Sequence, residues 1–199
     1  MTSLAYRAAT LACAEEIAAL HAESWRRTYR GIFRDEFLLG DLERERRAVW
    51  RARLASPRAS TLGLVASDER GVRGFVYAFE RGDPGWGVFI DNLHVAASHQ
   101  RAGVGAALLA AVARWASHVS PGVAPYLWVL EPNVRARQFY ERRGASLREA
   151  TVRENPGGGT ATYLRYAWTD PTEMAARTLT ACVDLVGTAP PHVRLPPSR

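Results

Sequence analysis

The chain contains no lysine: all 26 of its basic side chains besides histidine are arginine. That absence excludes a P-loop, whose glycine-rich turn must end in Gly-Lys-Ser/Thr so that an ammonium reaches the phosphates. Cysteine is nearly absent too. Cys13 and Cys182 are the two present, and their separation fits neither a disulfide framework nor a metal-ligand spacing. Both are expected to be buried or incidental thiols, and no metal is expected. No apolar stretch approaches the roughly 18 residues of a membrane span. The opening residues carry no basic segment followed by an apolar one, so a cytoplasmic protein is the default. There is no internal repeat. The arginines form no basic tail or stripe, so the net charge of +6 does not argue for nucleic acid. It does suit an anionic ligand.

What is present is an ordinary globular composition: 199 residues, 47% hydrophobic and 23% charged, enough for one domain with a real core. Residues 3–7 read as a first strand. Thr10 is positioned to cap a helix that carries Ile17, Leu20, His21, Trp25 and Tyr29 at helical spacing. A second helix is expected over 35–55, with an interruption at Gly40. Strands follow at 62–66, 72–80 and 86–95. The next helix begins near Gly105 and has Val104, Leu108, Val112 and Trp115 on one face. Then come a strand at 126–130, a short helix from Asn133 to Arg142 closed by Gly144, and strands at 146–153 and 160–168. This order predicts an α/β fold: a mixed sheet with helices on both faces. The domain is expected to span 1–169. Residues 170–199, with Pro190, Pro191, Pro196 and Pro197, read as a Pro-rich, loosely ordered extension.

The most informative segment is Gln100-Arg101-Ala102-Gly103-Val104-Gly105. It lies between a strand and a helix, where outward backbone N–H groups and the helix dipole favour an anion. Glycine lets a phosphate approach the backbone closely. The dinucleotide fingerprint needs a third glycine, and position 108 is Leu. A Rossmann fold is thereby set aside.

These residues fit the Q/R-x-x-G-x-G/A signature, and the chain resembles the GCN5-related N-acetyltransferases (GNAT). Leu93-His94-Val95 is similar to the end of that family's fourth strand. Leu130-Glu131-Pro132-Asn133 and Phe139-Tyr140-Glu141-Arg142-Arg143-Gly144-Ala145 are similar to its second cofactor motif. The likeness runs over about residues 3–168, in the family's order. It implies acetyl-CoA as cosubstrate, lying between the strands that end at Val95 and Leu130. The backbone around Leu93, His94 and Val95 would then pair with the pantetheine amides. The pyrophosphate would rest on the N–H groups of Arg101, Ala102, Gly103, Val104, Gly105 and Ala106. Gln100 and Arg101 are candidates for phosphate or adenosine contact, and Arg101 reads equally as a solvated surface charge. Asn133 is a pantetheine contact, a helix N-cap, or both.

By the same resemblance the reaction is direct acetyl transfer to an amine of a small molecule, protein or peptide, with no nucleophilic side chain. The Val95 N–H would stabilise the oxyanion, and Tyr140 would protonate the leaving thiolate. The histone-modifying members have Glu where this chain has Phe89, which cannot take a proton. Asp91, on the same face of a regular strand as Phe89, is the candidate base or amine contact. It reads equally as a carboxylate paired with an arginine. His94 falls on the opposite face of such a strand, as a structural residue. Glu131 is a weaker candidate base. Trp25 and Tyr29 are candidate acceptor contacts, with His21, Phe33 and the 155–159 loop nearby. A homodimer is open. The rival reading is a degenerate acyl-CoA sensor without catalysis, motivated by Phe89.

Overall fold

The computed structural model describes residues 4–57 and 60–183. Its strands are β1 (Ala5–Ala8), β2 (Thr61–Asp68), β3 (Gly71–Phe79), β4 (Phe89–Val95), β5 (Tyr126–Leu130), β6 (Ser146–Glu154) and β7 (Thr160–Ala167). The helices are α1 (Ala14–Thr28), α2 (Asp35–Leu39), α3 (Leu42–Ala55), α4 (Val104–Val119), α5 (Val134–Glu141) and α6 (Pro171–Val183). The strands form one sheet in the order β1-β2-β3-β4-β5-β7-β6. Every neighbouring pair is antiparallel except β4 and β5. The predicted mixed sheet with helices on both faces is what the chain forms.

Alternation along the strands sorts side chains into two layers. Leu64, Ala66, Val76, Ala78, Ile90, Leu127 and Val129 meet Val104, Leu108, Leu109 and Val112 of α4. Val65, Phe75 and Tyr77 turn the other way, onto Ile17 and Ala18 of α1 and Trp50 and Leu54 of α3. A third cluster joins Ala22, Phe33, Leu38 and Leu42 to Leu130, with Trp25, Tyr29 and Tyr163 packed against it. Full burial of each large aliphatic side chain stabilises the fold by about 1.5–3 kcal/mol.

Three local expectations need correction, and one holds. Thr10 makes no side-chain cap bond; a single 3-10 turn, Leu11–Cys13, intervenes before α1. The strand expected to begin at Trp86 begins at Phe89, because Gly87 N–H bonds Ala124 O instead of entering the ladder. Gly40 divides the second helix into two, as its composition suggested. Beyond residue 170 the chain is not loose at first: Pro171–Val183 is helical. This helix packs on α4 and fully buries Met174. Asp170 Oδ1 starts it, accepting from the N–H groups of Thr172 and Glu173, a cap followed by proline in the first turn. Cys13 is buried. Cys182, residue 3 and Pro190, Pro191, Pro196 and Pro197 lie outside the described residues or side chains.

Candidate active site

β4 and β5 pair only at Phe89 with Tyr126 and Ile90 with Leu127. Beyond these two pairs the strands diverge, while β4 stays bonded to β3 up to Val95 and β5 to β7 up to Leu130. Two free strand edges therefore face each other across a cleft. Ala96 N–H donates to Arg73 O at 2.8 Å. Backbone groups alternate sides along a strand, so Val95 and Leu93 turn their N–H and C=O groups away from β3 and into the cleft.

The cleft continues into the turn before α4. Arg101 has φ +67°, the one non-glycine residue with positive φ among the described residues, and Gly103 has φ +80°. A left-handed conformation costs an L-residue about 1–2 kcal/mol, and such strain gathers at functional turns. The first intrahelical bond of α4 is Ala107 N–H to Gly103 O. The N–H groups of residues 101–106 have no acceptor among the described residues, an arrangement suited to an anion. At Gly105 a Cβ would lie 3.3 Å from Phe139 Cζ and 3.6 Å from Val95 Cγ2. Glycine there lets α4 close onto α5 and the end of β4. Gln100 Nε2 donates to Val95 O at 3.1 Å and braces the turn against the strand. Arg101 is exposed, without an ion-pair partner among the described residues.

Across the cleft, Asn133 Oδ1 accepts from Ala136 N–H at 3.2 Å and caps α5. Burial pushes the phenol of Tyr29, just after α1, up to about 12, against a smaller opposing effect of Asn133. Tyr140 is 8% exposed, edge-on to Phe139 and Trp168. Burial, with the neighbouring Tyr29, pushes its phenol far above the ordinary range, against a smaller opposing effect of Arg143. The hydroxyl stays protonated at neutral pH. Trp25 and Tyr29 belong to an aromatic cluster with Phe33 and Phe37, and the Arg46 guanidinium lies over Trp25 at 4.6 Å.

β4 itself departs from the regular strand assumed from sequence. Tyr77 pairs with Asn92 and Ala78 with Ile90, so Asp91 is an extra residue in a β-bulge. A bulge shifts the alternation of everything beyond it. Phe89, wedged between Phe79 and Tyr126, and Asp91, bonded to Arg53 of α3, both lie on the α1/α3 side. So does His94, whose Nδ1 is 2.8 Å from Ser24 Oγ of α1 and whose ring packs on Phe75. The expectation that His94 and Asp91 occupy opposite faces is therefore incorrect. Asp91 Oδ2 accepts from Arg53 Nη1 at 2.6 Å and from Asn92 Nδ2 at 2.5 Å. Asp91 is thus ion-paired with Arg53, and its Oδ1 has no partner among the described residues. Glu131 sits exposed at the mouth.

Sequence reasoning left His21 as a peripheral lining residue and did not reach Arg53 or Ser24. His21 Nδ1 accepts from Trp50 Nε1 at 3.0 Å, and its ring centroid is 4.6 Å from that of His94. Burial, then His94 and arginines 46 and 53, holds His21 well below the usual histidine range. Burial, then Arg27 and Arg46, pulls His94 down to about 4. Unfolded histidines protonate near pH 6.5, while these two stay neutral when folded. The unfolded state therefore binds more protons between about pH 6.5 and 4, and stability falls as pH drops through that window. His94 should account for about 2 kcal/mol, discounted for its partial exposure. Urea midpoints measured from pH 7 to 4.5 should show the decline, and His94→Gln should flatten it.

Residues 17–145 match the family model described as the acetyltransferase (GNAT) family, and the chain belongs to that family. A Mycobacterium tuberculosis protein named "Probable N-acetyltransferase Rv2775" is 26% identical over 162 residues, 72% of this chain and 80% of that protein. The PaiA N-acetyltransferase of Thermoplasma acidophilum, solved in complex with coenzyme A, has a TM-score of 0.62 at 17% identity, covering 82% of this chain and 98% of its own. Arabidopsis thaliana NAA60, solved with a bisubstrate analogue, has a TM-score of 0.61 at 16% identity, covering 83% and 97%. These structural likenesses establish the shared fold. No helix among the described residues is long and apolar enough to cross a membrane.

Proposed function

We propose that this chain is an N-acetyltransferase that uses acetyl-CoA as cosubstrate and passes the acetyl group directly to an amine. The observation that carries this reading is the cleft between β4 and β5, whose edge at Leu93 and the Val95 N–H runs into N–H groups of residues 101–106 that have no acceptor among the described residues. An extended arm ending in a pyrophosphate fits such a path: amides along the strand edge, phosphates at the helix start. The coenzyme A bound to PaiA supports it. Acetyl-CoA supplies an activated thioester carbonyl.

The residues then divide the work. The Val95 N–H, turned into the cleft, donates to the carbonyl oxygen as it gains negative charge. Tyr140 holds a proton at its hydroxyl for the departing thiolate. Asp91 Oδ1 receives the ammonium and takes its proton directly or through water, Oδ2 being fixed by Arg53 and Asn92. His94 is a second candidate base, favoured by the bulge that brings it to the same face as a neutral, partly exposed imidazole. Asp91→Asn and His94→Gln distinguish them: the base is the residue whose loss removes the acid limb of the kcat/KM profile.

The test of the whole reading is release of free thiol from acetyl-CoA with a panel of amines. Tight coenzyme A binding without turnover of any amine would instead support the sensor. The phosphate cradle has its own check. Gly103→Val places a β-branched residue at φ +80°, and coenzyme A affinity should fall about 10-fold or more, following a strain of about 1–2 kcal/mol. Calorimetric titration measures it.

A further inference from the structure

The α1/α3 side of the sheet carries a ribbon of aromatic and arginine side chains running from β3 to β6. Arg53 lies 5.8 Å over Phe79. Phe79 stacks on Phe89 and Phe89 on Tyr126. The Arg165 guanidinium sits against Trp86, Tyr126 and Trp128 at 4.6, 4.9 and 4.4 Å. Arg153 stacks on Trp128 at 3.7 Å. The parallel register places Trp128 across the cleft from Asp91, and Arg165 pairs with Trp128 on β7.

Arg165 is 6% exposed. Its partners Asp83 and Glu149 engage Nη2 and approach Nε. Nη1 is buried and has no hydrogen-bond partner among the described residues. An unpaired buried donor carries a desolvation cost that an acceptor would remove. Arg153 has no carboxylate partner among the described residues and is solvent-exposed. The β4 carboxylate, Asp91, is already bonded to Arg53. The surface beside the cleft thus offers guanidinium donors over a flat aromatic floor, and its carboxylates Asp83, Glu149 and Asp91 are already engaged by arginines.

We infer, on the acetyl-transfer reading above, that the acceptor is an amine bearing a remote carboxylate, with the carboxylate held by Arg153 and Arg165 over Trp128. Asp91 and Arg165 are two strand positions apart, about 10 Å at ordinary strand spacing and more where the strands diverge. The amine and carboxylate are therefore separated by a spacer, as in an ω-amino acid or a dipeptide, and not adjacent as in a free α-amino acid. The spacer lies along the Trp128 face.

Three acceptors of matched length test this: ε-aminocaproate, its neutral amide, and the diamine cadaverine. The carboxylate should be acetylated with kcat/KM at least about 10-fold above both others, the size expected for one charge-assisted arginine contact. Arg153→Glu, at an exposed position, should remove that preference, bringing kcat/KM for the carboxylate down at least to that of the amide. A preference for cadaverine, or an equal effect of Arg153→Glu on all three, overturns the inference. Calorimetric binding of the same three to the coenzyme A-loaded protein separates it from the transfer reading. Selective carboxylate binding without turnover supports the acceptor class and counts against transfer. Turnover with the diamine preferred does the reverse. Absence of both binding and turnover for all three also overturns the acceptor class.

Discussion

Tyr140→Phe should lower kcat by about 100- to 1,000-fold while leaving coenzyme A affinity within about twofold. The lower end of general acid–base contributions sets this size. The substitution removes one oxygen and keeps the ring, so the edge contacts with Phe139 and Trp168 persist. A purely structural tyrosine would show almost no change in rate, and a sensor would have no rate to lose. Burial keeps the phenol protonated well beyond neutral pH. The wild-type rate should therefore show no alkaline limb from Tyr140 below about pH 10, the ordinary phenol value. Single-turnover kinetics with saturating acetyl-CoA, beside calorimetric affinities, checks both statements. Equal rates for wild type and variant would reassign the thiolate's proton to solvent.

Trp50→Ala should be the most damaging single change to stability, at about 3–5 kcal/mol. Trp50 is fully buried and packs edge-on against Phe75 and Tyr77. It also donates to His21 Nδ1, which would be left without that partner. For a chain of this size each kcal/mol lowers Tm by about 2–4 °C, so a drop of about 10 °C or more is expected by scanning calorimetry. The cavity would admit water to His21, and the acid-side loss of stability should narrow accordingly. Trp50→Phe, which keeps most of the volume, should cost less than half as much. A Tm change below about 3 °C for Trp50→Ala would show that this layer can collapse around the gap.

Features encoded in adjacent residues are legible in the sequence. The turn from Gln100 to Gly105, the α5 cap at Asn133 and the break at Gly40 rest on local backbone preferences. Their chemistry survives in three dimensions almost unchanged. The α6 start is equally local, with Asp170, Pro171 and Glu173 in capping positions, but the prolines further along the chain mask it in the composition. The contacts on the α1/α3 side of β4 are of another kind. His94 meets Ser24 across 70 positions, Asp91 meets Arg53 across 38, and Trp50 meets His21 across 29. No periodicity in the chain announces such pairs, because each depends on how two elements dock.

The sequence alone determined the family and the turn before α4, because a left-handed glycine turn before a helix creates the same N–H cradle wherever it occurs. It also determined that Phe89 cannot be a base. Only the tertiary structure decided which polar side chains stand beside it. One extra residue at Asp91 breaks the two-residue alternation of β4, and docking of α1 and α3 then sets Asp91 against Arg53 and His94 against Ser24. Side-chain direction in a strand is a property of the ladder, and the ladder's register is fixed only when its neighbours are in place.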